Sequence, residues 1–160
     1  MFTFANAAKL AEIEPVRLRQ WFERGHFELQ RGDQNADQGG IRLLTPQTTL
    51  AICIAARLVR LGVPPARAIT AGLAFAHTKM GSPRRKHSAA LYDGPVITFV
   101  AIPPDEKQPA RFFCLGAKSD GADAIVNIGE GATILPLNSI VQKIENAMAS
   151  GEAAPAAGRA

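Results

Sequence analysis

The chain has 160 residues, 47% of them hydrophobic and 20% charged, with a formal net charge of +4. That is room for one ordinary domain or two small ones. No apolar run nears the roughly 18 residues that span a bilayer and no signal-peptide pattern opens the chain, so a cytoplasmic protein without a membrane segment is expected. The charge is uneven: residues 1–87 carry 13 Lys and Arg against 6 Asp and Glu, and residues 88–160 carry 5 against 8.

In chain order, Thr3 and Phe4 lead into a helix over about 5–11. Pro15 suits the first turn of a second helix, where its missing N–H costs nothing. That helix ends near Arg24, before Gly25, a residue that tolerates the left-handed conformation of a helix end. Leu18, Trp21 and Phe22 sit three and four apart and share an inward face. Arg17, Gln20 and Arg24 lie off this stripe, and Arg19 lies at its edge. Residues 30–40, which include Arg31, are polar and without periodicity, and read as a flexible loop between two short strands. Order resumes at Ile41–Leu44. Thr45 is a good N-cap and Pro46 a good first residue for a helix over 46–61. Leu50, Cys53, Ile54, Leu58 and Leu61 form its apolar side, and Gly62 ends it. A fourth helix, over about 65–79, places Ile69, Leu73, Ala76 and Met80 at coiled-coil-like spacing.

The second half reads differently. Residues 81–94 form a linker with the basic run Arg84, Arg85 and Lys86. Residues 95–102 are continuously apolar, as in a strand buried on both faces. Strands are also expected over 111–115, over 124–128, and from Thr133 after a turn at 129–131. A last helix runs from about 137 to 149, with Asn138 as its N-cap and an apolar stripe of Ile140, Val141, Ile144 and Met148. Residues 150–160 read as a disordered tail. Cys53 and Cys114 lie in apolar runs without ligand spacing, as buried small hydrophobes do.

Residues 3–65 resemble the DNA-binding domain of the MerR family of bacterial transcription regulators. The resemblance rests on Leu18-Arg19-Gln20-Trp21, on Arg24-Gly25, on Gly40-Ile41-Arg42-Leu43-Leu44, and on Leu61-Gly62-Val63. Leu44 stands where the family has an aromatic, and Glu12-Ile13 where its first turn carries Gly. The resemblance implies a winged helix-turn-helix: a recognition helix over 15–24 in the major groove and a wing over 30–44 on the backbone. Arg17, Arg19, Gln20, Arg24 and Arg31 would then face DNA, and Arg42 would hold the wing to the backbone or brace it internally. Arg84, Arg85 and Lys86 could add phosphate contacts. Arginine reads guanine bidentately or clamps phosphate, and Gln pairs with adenine. The fourth helix is much shorter than the coiled coil of effector-responsive members, and no Cys cluster follows it.

The expected fold class is therefore α+β, a helical winged helix-turn-helix domain over 1–80 followed by a small sheet-plus-helix domain over 95–149. Some 55 residues is near the lower limit for independent folding, so the second domain is expected to lean on another copy, as a candidate for dimerisation or sensing. The expected partners are double-stranded DNA and a second copy of the chain, with a further protein partner open through the second domain. No membrane partner, metal or cofactor is expected. His26, His77 and His87 are scattered and no nucleophile motif or phosphate loop occurs, so no enzyme is expected. Two alternatives stand beside a regulator: a phage or mobile-element architectural protein, since excisionases and small terminase subunits resemble the same pattern, or an antitoxin-type interaction module.

Overall fold

The computed structural model describes residues 1–35, 42–78, 89–116 and 131–152. Phe2 and Leu44 are both fully buried, and their need for cover sets the first pairing. Strand β1 (Phe2–Thr3) runs antiparallel to β2 (Leu43–Leu44), with Phe2 opposite Leu44. The loop over 30–40 was expected to lie between two strands. Among the described residues, however, Leu43 meets that side of the chain only in a single bridge, to Gln34. The ladder goes instead to the N-terminal strand, because Phe2 brings a large apolar side chain to the core that the polar 30–35 stretch lacks.

Helix α1 (Phe4–Ala11) is capped by Thr3, whose side chain accepts from the Asn6 N–H at 3.1 Å, and buries Ala7, Ala8, Leu10 and Ala11. It ends at Glu12 in the left-handed conformation, with φ 57°. Helix α2 (Pro15–Glu23) buries Leu18 and Trp21, and Gly25 behind it takes φ +68° as the sequence anticipates. Helix α3 (Pro46–Arg60) starts at Thr45, whose hydroxyl accepts from the Thr48 N–H. Ten of its residues are buried, because α1, α4 and α5 (Asn138–Ala149) all pack on it. Helix α4 (Pro65–His77) lies along α3. Its spacing suggested a coiled coil, yet Ile69 and Ala76 are buried within the chain itself. Gly72 makes the close approach possible: a Cβ there would lie 2.4 Å from the Ala51 carbonyl oxygen.

Strands β3 (Ile97–Ile102), β4 (Arg111–Leu115) and β5 (Thr133–Pro136) form an antiparallel sheet in the order β4-β3-β5. Phe99 lies opposite Phe113 on one side and Pro136 on the other. The apolar run suits the central strand, although Ile97 at its start is 48% exposed. The expected strand over 124–128 and most of the turn after it lie outside the described residues.

Helix α5 departs from its expected start. Asn138 is not the N-cap; its side chain accepts from the Thr98 N–H at 2.7 Å and donates to the Val96 carbonyl at 3.2 Å. The cap position belongs to Leu137 and has no side-chain hydrogen bond. The buried stripe is Ile140, Val141, Ile144 and Ala147, while Met148 is 41% exposed. A repeat of four residues drifts about 40° per step, which carries Met148 off the face that Ala147 rejoins.

The inner sheet residues Val100, Ile102 and Leu135 and the α5 stripe join the α1–α4 core in one buried cluster. The neighbour that covers the small sheet-plus-helix part is thus the helical part of the same chain. The chain is α+β, with helices first and a small sheet and helix after them. Past Ser150 the described residues stay against α1: the Asn6 side chain donates to the Glu152 carbonyl at 2.7 Å, and Lys9 lies 3.7 Å from the Glu152 carboxylate.

Candidate nucleic-acid interface

Leu18 and Trp21 fasten α2 to the core with Phe22 half-buried beside them, which leaves the opposite side of the helix to solvent. Arg17, Arg19, Gln20 and Arg24 are all exposed. Among the described residues none of these side chains, nor that of Arg31, forms a hydrogen bond or ion pair with the protein. The centre of this face also carries Val16, 60% exposed, and Glu23, so it is not uniformly cationic.

A groove of about 880 Å³ runs beside α2. Arg19 and Arg42 line it, with Phe4, Phe22 and Phe27 among its walls. The three rings stand in series, Phe4 to Phe22 at 5.7 Å and Phe22 to Phe27 at 5.1 Å between centroids. The Arg42 guanidinium lies over two of them, 5.0 Å from the Phe22 ring and 5.8 Å from Phe4. Through these contacts Arg42 links the 42–44 segment to α1 and α2. Arg42 also donates weakly to Asn35 Oδ1, at 3.5 Å. The candidate cations Arg84, Arg85 and Lys86, together with residues 36–41, lie outside the described residues.

Asp33 organises the other side of this segment, and sequence reasoning passed over it as one more polar loop residue. Its carboxylate accepts from the Gln30 N–H at 2.7 Å, the Thr45 N–H at 2.7 Å and the Thr48 hydroxyl at 2.9 Å. The Thr48 hydroxyl has one proton and gives it to Asp33, so the His77 ring, 3.3 Å away, must donate through Nε2. Burial pushes His77 below the usual imidazole range, and the Asp33 charge opposes that shift. The available signal was an Asp twelve residues before the Thr-Pro helix start, too distant for a local turn pattern.

The chain matches no protein-family model, and no curated protein is detectably similar to it in sequence.

A second charged cluster lies at the far end of α3, about 20 Å along the helix axis from Thr45. Glu12 takes Arg57 at 3.0 Å, Arg60 at 2.8 Å and Lys143 at 2.8 Å. Arg60 also donates to the Glu12 and Ala11 carbonyls, and Lys143 to the Leu10 carbonyl at 2.8 Å. Hydrogen bonds from Lys143 and Arg60, followed by the charges of Lys143 and Arg57, hold the Glu12 carboxyl down to about 2 despite some opposing desolvation. Part of the basic excess of residues 1–87 is thus spent on the turn between α1 and α2. Burial pushes the Cys53 thiol up to about 12, and both cysteines are buried and unpaired. Among the described residues no three His, Cys, Asp or Glu side chains gather as a metal site would require. No helix among them is long and apolar enough to cross a membrane.

Proposed function

We propose that the chain binds double-stranded DNA as a transcription regulator, with α2 in the major groove and the 30–44 segment along the backbone. The observation that carries this reading is the set Arg17, Arg19, Gln20 and Arg24, exposed and without protein partners on a helix anchored by Leu18 and Trp21. A charged side chain paired inside the fold has little left for a ligand, and these three arginines are unpaired. Arg42 contributes chiefly by fixing the 42–44 segment against α2, and so acts as a positioning residue. The MerR-like order of motifs supports the same arrangement. The protein would work in the cytoplasm as a homodimer on two half-sites.

Fluorescence anisotropy of the full chain on its own upstream DNA and on a shuffled duplex, across a salt series, tests the reading. Tight binding that prefers the native sequence and weakens steeply with salt is the expected result. Equal, weak binding to both duplexes would replace the regulator with an architectural DNA-binding protein. Absence of binding to either would remove DNA as the partner and leave the antitoxin-type interaction module.

A further inference from the structure

The Glu12 cluster borders a cavity of about 280 Å³ at the joint between the α1–α2 turn, α3 and α5. Leu10, Cys53 and Ile140 give it apolar walls, and Glu12, Arg57, Ser139 and Lys143 give it polar ones. With Arg60 beside them, three cations face one carboxylate, a surplus of two positive charges. Ser139 lies in the first turn of α5, which has no side-chain cap because Asn138 is engaged with β3. The carboxylate that does occupy the cluster is tethered through a non-glycine residue at φ 57°, a conformation that works against its own placement.

We propose that this cavity binds a small oxyanion, which takes the place of the Glu12 carboxylate between Arg57 and Lys143. Glu12 acts as a built-in competitor, a tethered carboxylate that an external anion must displace. Carboxylates and phosphates share the chemistry that would be recognised: compact negative oxygen acceptors for a guanidinium, an ammonium and a hydroxyl. The volume admits a small molecule and not the body of a polymer. This inference stands independently of the DNA-binding reading, since it concerns a different end of α3.

The test is calorimetric titration of the full chain with inorganic phosphate and, separately, with succinate, at ionic strength held constant with sodium chloride. The Glu12→Gln variant should bind about five- to ten-fold more tightly than the wild-type chain, because removing a competitor raises the fraction of binding-competent sites. Adding Lys143→Met to that variant should then weaken binding about ten-fold or more, and Lys143→Arg should retain it. The better of the two probes identifies the class of oxyanion. Ser139→Phe, which fills the cavity and leaves the ion cluster in place, should abolish binding in an otherwise wild-type chain and serves if Glu12→Gln does not fold. Absence of binding heat in both the wild-type and Glu12→Gln chains would overturn the proposal. So would binding that Lys143→Met or Ser139→Phe leaves unchanged.

Discussion

Replacing Glu12 by Gln keeps the size of the side chain and removes its charge, so it isolates the cluster formed with Arg57, Arg60 and Lys143. The carboxyl group is held down from 4.5 to about 2 in the folded chain. Taken at face value, that depression corresponds to about 3 kcal/mol of stability. The Glu12 side chain is 43% exposed, however, and exposed pairs are screened by water and contribute well under 1 kcal/mol each. Three such partners reduce the expectation to about 1–2 kcal/mol. The folded-state value lies below the unfolded one, so this stability is fully present above about pH 5 and is lost as pH falls from there toward 2. Glu12→Gln should therefore lower Tm at pH 7 by roughly 2–8 °C, and its deficit relative to wild type should shrink as the pH is lowered. Scanning calorimetry in chloride buffers free of phosphate and carboxylate, from pH 7 down to about pH 3, measures both. Glu12→Gly provides the internal comparison: it loses the same ion pairs but relieves about 1 kcal/mol of left-handed strain, so it should melt above Glu12→Gln. Identical melting of wild type and Glu12→Gln at pH 7, with parallel acid limbs, would refute the reasoning.

Gly72→Ala should cost about 2–3 kcal/mol, because its Cβ would press against the Ala51 backbone and force α4 off α3; urea denaturation should show a lower midpoint at unchanged slope. Arg42→Ala removes the guanidinium from the Phe4 and Phe22 rings and should destabilise by about 1–2 kcal/mol, read as a lower Tm, whereas Arg19→Ala should leave Tm unchanged and weaken DNA binding. Asp33→Ala leaves the Gln30 and Thr45 N–H groups without their acceptor and should cost about 2–4 kcal/mol, with faster amide exchange at those two residues as its local signature. His77 should titrate below its unfolded value in an NMR series. Its contribution is present above about pH 6.5 and lost as pH falls through the lower folded value, and His77→Gln should remove that part of the pH dependence.

Much of the helical framework was legible because its punctuation is local. Pro15 and Thr45-Pro46 begin helices, Gly25 and Gly62 end them, and each works through the backbone of its own few residues. The strand over 97–102 was legible as a strand from its apolar run, but its place between β4 and β5 was not. Features made across long sequence separations were not. Two residues at Phe2–Thr3 carry no alternation pattern, so the pairing with Leu43–Leu44 left no trace. Asn138 has the chemistry of a cap, but a strand 40 residues earlier claims its side chain. Glu12 at positive φ contradicts local preference and is held by cations from α3 and α5. In the candidate interface, the exposed arginines of α2 could be named from periodicity alone. The aromatic seat of Arg42 and the role of Asp33 could not, because both depend on where the 30–44 segment folds back.

The contacts that join α5 and the residues after it to α1 also bear on how the protein is made. Lys143 reaches Leu10 and Glu12, and Glu152 reaches Asn6, across sequence separations of 131 to 146 residues. During synthesis the first two helices emerge long before these partners exist, and the face of α3 that packs on α5 must wait for it. Contacts of such span are slow to form and leave hydrophobic surface uncovered meanwhile. The ion cluster at Glu12 can be completed only once Lys143 has joined the fold.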